Sequence, residues 1–122
     1  MSSMLETRVQ SLTTWSDVCA RQELETNWGE AAVIGDAQVA LFAFDDDTVC
    51  ATAQSCPSTG AHVMSRGITG SKVVDGSQVL TIACPLHKEV FRLDTGECVS
   101  GDTPALQVYP VTIVADHVLV LV

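Results

Sequence analysis

Apolar residues in this chain recur with a period of two. Glu89-Val90-Phe91-Arg92-Leu93 alternates polar and apolar side chains, the pattern of a strand with one face buried. Similar short runs, many rich in valine and bounded by Gly, Asp, Pro or Ser, fill most of the chain. Trp15 to Cys19 reads as the first strand, Arg21 to Leu24 as one short helical turn, and Trp28-Gly29 as a reversal. Ala31 to Ile34 and Gln38 to Phe44 flank the tight-turn pair Gly35-Asp36, a hairpin signature. The acidic turn Asp45-Asp46-Asp47 leads into a strand over Thr48 to Ala53, and Cys56-Pro57-Ser58-Thr59-Gly60-Ala61-His62 must be loop.

Val63 to Gly70 continues irregularly, after which Lys72 to Val74 and Val79 to Ala83 flank Asp75-Gly76-Ser77. A second loop, Cys84-Pro85-Leu86-His87, hangs from that hairpin. Asp94-Thr95-Gly96 turns the Glu89 to Leu93 run into Glu97-Cys98-Val99, and Gln107 to Val114 pairs with Val118 to Val122 across Ala115-Asp116-His117. Roughly nine or ten short strands predict an all-β fold, a small sandwich or barrel.

Composition agrees with this reading and narrows the function. The 122 residues are 47% hydrophobic but only 5% aromatic, which fits one domain with an aliphatic core. The expected division is a weakly ordered lead-in over 1–13 and a single domain over 14–122. Fifteen acidic against six basic residues give a net charge of −9, which repels nucleic acid and anionic membrane surfaces. Met1 to Gln10 lacks the basic and apolar regions of a signal peptide, and no run reaches the ~18 apolar residues of a membrane span. Five cysteines, an odd number, fit reduced thiols in the cytoplasm better than a disulfide framework.

The chemistry of interest lies in the two cysteine loops, Cys56-Pro57-Ser58 and Cys84-Pro85-Leu86-His87, with 25 residues between Ser58 and Cys84. They resemble the ligand loops of a Rieske centre, in which two thiolates hold one iron and two imidazoles the other. The usual pattern is Cys-x-His on the first loop and Cys-x-x-His on the second. The second loop matches in full, and the first carries Ser58 where its histidine belongs. A neutral hydroxyl is a poor iron ligand, so Cys56, Cys84 and His87 are expected to be degenerate ligand positions, with no cofactor and no metal held. His62, four residues beyond Ser58, is the nearest substitute, but a loop lengthened that far is hard to hold in Rieske geometry. Cys56 and Cys84 read equally as small buried hydrophobes. A zinc site from Cys56, Cys84 and His87 has the right donors but wider spacing than zinc fingers use. Cys19, Cys50 and Cys98 fall in strand-like segments that point to core packing.

A further set of residues is similar to the small subunit of bacterial assimilatory NAD(P)H-dependent nitrite reductases. It comprises Trp15-Ser16-Asp17-Val18-Cys19, Val63-Met64-Ser65-Arg66-Gly67-Ile68-Thr69-Gly70, Pro85-Leu86-His87-Lys88, Phe91 to Cys98 and Val108-Tyr109-Pro110-Val111. That resemblance implies a Rieske-like fold with a ligand-loop hairpin subdomain. It also implies a non-catalytic accessory role, in the cytoplasm, beside a large subunit carrying flavin, iron–sulfur and sirohaem centres that reduces nitrite to ammonia. Ser65, Arg66, His87 and Lys88 are then the expected partner-binding residues. The alternative is a Rieske-type ferredoxin, an electron carrier with an atypical [2Fe-2S] cluster. A hydrolase or transferase has no support, since the chain lacks a nucleophile elbow and a phosphate loop.

Overall fold

The computed structural model describes residues 15–122, so the expected lead-in over 1–13 lies outside the described residues. Its centre is a long strand, Ala37–Asp45, with both faces buried. Val39, Leu41 and Ala43 enter one core cluster, while Ala40 and Phe42 enter another. Two-residue alternation on a strand covered from both sides divides its apolar residues between two cores.

Ten strands are present among the described residues: β1 (Trp15–Ala20), β2 (Gly29–Ile34), β3 (Ala37–Asp45), β4 (Thr48–Ala53), β5 (Ile68–Val74), β6 (Ser77–Ala83), β7 (Val90–Arg92), β8 (Val108–Tyr109), β9 (Val111–Val114) and β10 (His117–Leu121). Short 3-10 turns cover Arg21–Glu23 and Met64–Arg66. All the strand pairs are antiparallel, in three sheets ordered β1-β10-β9, β2-β3-β4-β8 and β5-β6-β7. Val118 and Val120 of β10 join Val39, Leu41 and Val49 in one core. Phe42, Met64, Ile82, Phe91, Leu93 and Leu106 make the other, and it includes both Cys56 and Cys84. The cysteine loops therefore sit at the end of the second core.

The all-β architecture and most expected strands are present, and three segments differ. Gln107 to Val114 is not one strand. Pro110 divides it, with Val108–Tyr109 pairing β4 and Val111–Val114 pairing β10. Proline brings no N–H to a ladder, and here its carbonyl accepts from the Leu121 amide at 3.0 Å. The chain changes sheets at that point.

Glu97 to Val99 makes only one bridge, Cys98 to Phe91. The ladder ends because the Val90 amide donates to the Ser100 hydroxyl at 2.9 Å instead of to another backbone carbonyl.

Val63 to Gly70 is more ordered than expected, holding the Met64–Arg66 turn and the start of β5. Its anchor is Gln54, just past β4. The Gln54 carbonyl accepts from the Val63 and Met64 amides at 3.0 Å each, and its side chain accepts from the Ser65 amide at 2.7 Å and donates to the Ser65 hydroxyl at 2.8 Å. Partners nine to eleven residues away in sequence leave no local signal.

Candidate functional site

Both cysteine loops close on their own backbones. In the first, the Cys56 amide donates to the Ala61 carbonyl at 2.8 Å and the Gly60 amide to the Cys56 carbonyl at 2.7 Å. In the second, the Cys84 amide donates to the Glu89 carbonyl and the Lys88 amide to the Cys84 carbonyl, each at 2.8 Å. Lys88 adopts a left-handed φ of 60° to make that return, a conformation uncommon outside glycine. Each loop is thus a rigid turn with its cysteine at the inner end and its tip in solvent.

The inner ends meet. The Cys84 thiol donates to the Cys56 sulfur at 3.1 Å, and each residue is 1% exposed. The Ser58 hydroxyl lies 3.2 Å from the Cys56 sulfur and donates to Glu89 Oε1 at 2.8 Å. The other carboxylate oxygen of Glu89 accepts from the Thr103 hydroxyl. One donor atom each from Cys56, Cys84 and Glu89 lies within 4.8 Å of the others. Glu89 is the member that the sequence reading missed. Its only local sign is an acidic residue at the inward return of a cysteine loop.

Electrostatics separate the two thiols. Burial pushes both upward, but at Cys56 the hydrogen bonds from Ser58 and Cys84 outweigh it and leave the thiol below its usual range. At Cys84 the Cys56 partner adds to burial, so that thiol rises, although the backbone N–H groups of His87 and Leu86 oppose the change. Hydrogen bonds from Thr103 and Ser58 hold the Glu89 carboxyl below the usual carboxylate range.

His87 lies at the exposed tip with Leu86 and Lys88, outside the converging group of Cys56, Cys84 and Glu89. His62 is held by Gln38, its Nδ1 being 2.8 Å from the Gln38 side-chain oxygen. A Rieske cluster takes two thiolates and two imidazoles. These loops supply two thiols and one outlying imidazole, with a hydroxyl and a carboxylate bonded to each other where the second imidazole would stand. The donor set does not fit the two-iron group. Cys50 and Cys98 pack against the same core and Cys19 against the other.

The expected partner residues Ser65 and Arg66 occupy the turn between the loops. Met64 is buried beneath it, and its far end presses on the base of the second loop. A Cβ on Gly67 would lie 2.3 Å from the carbonyl of Ala83, the residue before Cys84. From the other side β2 presses equally closely, since a Cβ on Gly29 would lie 2.0 Å from the Ser65 carbonyl. Arg66 projects outward over a shallow groove shared with Asn27 and Trp28, where Trp28 is 59% and Ile68 72% exposed. The sequence reading does not single out either as exposed: Trp28 falls in an expected chain reversal and Ile68 in an expected irregular segment.

Known proteins share the sequence pattern and the fold. Residues 14–121 match the family described as the Rieske-like [2Fe-2S] domain. The Escherichia coli (strain K12) protein named nitrite reductase (NADH) small subunit is 30% identical over 99 residues, covering 80% of this chain and 88% of its own. A 99-residue stretch of the Klebsiella oxytoca nitrite reductase [NAD(P)H] large subunit is 32% identical and covers 81% of this chain but 10% of that protein. Among solved structures, one described as an NADH-dependent nitrite reductase small subunit from Mycobacterium tuberculosis superposes with a TM-score of 0.80 at 33% identity, covering 90% of this chain and 96% of the other. The ferredoxin of carbazole 1,9a-dioxygenase from Nocardioides aromaticivorans shares the fold, with a TM-score of 0.74 at 21% identity over 88% of this chain and 96% of its own.

Proposed function

The chain belongs to the Rieske-like [2Fe-2S] domain family and, within it, to the nitrite reductase small subunits, and on that footing we propose that it acts by contact, seated on a large cofactor-bearing subunit. The observation that carries this reading is the Ser58–Glu89 hydrogen bond, which ties up the corner of the ligand set where an imidazole would be needed. Without that ligand the loops hold no complete two-iron cluster, and the chain has no electron to deliver. The flavin, iron–sulfur and sirohaem chemistry that takes nitrite to ammonia then belongs wholly to the partner. No autonomous catalysis is expected.

Contact is supported by the Klebsiella oxytoca similarity, where a segment like this chain forms part of a large-subunit polypeptide. Ser65, Arg66, His87 and Lys88 form the docking surface, extended by Trp28 and Ile68. An arginine beside exposed aromatic and aliphatic side chains is a composition favoured at protein interfaces. The net charge of −9 leaves nucleic acid and anionic lipid as unfavourable partners. Among the described residues no helix is long and apolar enough to cross a membrane. We place the domain over 14–122 and the complex in the cytoplasm, where the thiols stay reduced.

The test is reconstitution. A tagged copy expressed in nitrite-grown cells is expected to co-purify with a large sirohaem-coloured chain, and adding it to isolated large subunit is expected to raise NAD(P)H-dependent nitrite reduction. Recovery of the tagged copy alone, with no effect on the large subunit, contradicts the proposal.

A further inference from the structure

Two buried sulfurs and one oriented carboxylate converge in a place that the proposed function leaves unused. We infer that Cys56, Cys84 and Glu89 form a binding site for a single thiophilic divalent cation, of which zinc is the type. The inference rests on the reading that no two-iron cluster occupies these loops.

The donor atoms already lie within 4.8 Å of one another. Thiolates sharing one tetrahedral zinc at about 2.3 Å stand about 3.8 Å apart, so the 3.1 Å sulfur separation needs to open by less than an ångström. Both cysteines begin turns fixed by their own backbones, so a slight spreading of the loops suffices.

Glu89 is held as a ligating carboxylate is usually held. One oxygen accepts from Ser58 and the other from Thr103, and outer hydrogen bonds of this kind orient a metal ligand and raise its affinity. Burial of the sulfurs, each residue 1% exposed, keeps bulk solvent off the two thiolates and leaves the half-buried Glu89 as the open side of the site.

Charge and softness choose the cation. Two thiolates and a carboxylate place three negative charges around a doubly charged ion, and sulfur donors favour zinc over magnesium or calcium. Binding releases the two thiol protons to solvent, and water completes the fourth position. The site is therefore mononuclear, with the carboxylate of Glu89 standing in for the imidazoles of a Rieske centre.

Titration of the reduced, metal-free chain with Co2+, a spectroscopic stand-in for zinc, tests this. The expected result is one equivalent bound, a thiolate-to-cobalt charge-transfer band in the near ultraviolet, and its loss when Zn2+ is added. Cys56→Ser and Cys84→Ser are expected to abolish the band, and Cys19→Ser to leave it intact. Glu89→Gln, isosteric at this half-buried position, is expected to weaken binding by at least about tenfold with circular dichroism unchanged. No band in the parent, or equal binding by Cys56→Ser or Glu89→Gln, overturns the site, as does a Cys56–Cys84 disulfide in the chain purified with reductant. Metal-free thiols would sink this inference alone, whereas two irons and two sulfides per chain would sink it together with the proposed absence of a cluster.

Discussion

The Ser58 hydroxyl donates to Glu89 at 2.8 Å, joining two loops whose residues lie 31 positions apart. Ser58 stands where a cluster-binding loop would carry its histidine. The Ser58 hydroxyl is exposed, so the bond exchanges water for a carboxylate from the facing loop. The Rieske-like scaffold is kept, and this hydrogen bond ties its two cysteine loops together.

Restoring the missing donor should restore the chemistry. Ser58→His, reconstituted anaerobically with iron and sulfide, is expected to gain visible absorption, while the parent treated in parallel stays colourless. Equal colour in both would mean that Ser58 is not the deciding position.

Partner affinity should depend on Arg66 without any cost to the fold. The side chain projects from the Met64–Arg66 turn into a groove beside Trp28. Arg66→Glu is expected to weaken binding of the large subunit about tenfold, or ~1.4 kcal/mol, with an unchanged melting temperature. Surface plasmon resonance with the immobilised chain measures the first and thermal melting the second.

Gly29 sets the height of the same turn. A methyl group there would stand 2.0 Å from the Ser65 carbonyl and 2.9 Å from the Phe42 ring, both in well-packed surroundings. Overpacking of this kind costs about 1–3 kcal/mol. Gly29→Ala is therefore expected to lower the denaturation midpoint and, by lifting Ser65 and Arg66, to weaken partner binding as well. A variant as stable as the parent would show that β2 and the turn are not tightly coupled.

The turn after β7 should respond to acid. Hydrogen bonding by the Arg92 guanidinium holds the Asp94 carboxyl below its usual 3.8. A carboxyl lowered in the folded state stabilises the fold above its unfolded value, and that contribution is lost as pH falls through the lowered one. Nuclear magnetic resonance titration is expected to find the Asp94 midpoint below 3.8, moving up in Arg92→Gln. An Asp94 midpoint that ignores Arg92→Gln would assign the shift to another cause.

Much of this was legible in the chain itself. Period-two runs located most strands because burial of one face leaves a local imprint, and the cysteine loops showed themselves through proline, glycine and spacing. Glu89 was not legible, because its partners Ser58 and Thr103 come from other segments and an acidic residue in a loop normally faces solvent. The Met64–Arg66 turn was hidden for the same reason, being fixed by the side chain of Gln54. At Pro110 the signal was present but outweighed by the valines around it. Trp28 and Ile68 invert the usual rule, as large apolar side chains left outside, and only the packed structure distinguishes such a patch from core.

The central claim is that the two loops lack a working two-iron centre and the chain acts through contact. Low-temperature electron paramagnetic resonance of the chain, purified anaerobically and reduced with dithionite, tests it most directly. The account predicts no iron–sulfur signal from the isolated chain. A signal integrating to one spin per chain would contradict it and make the protein an electron carrier.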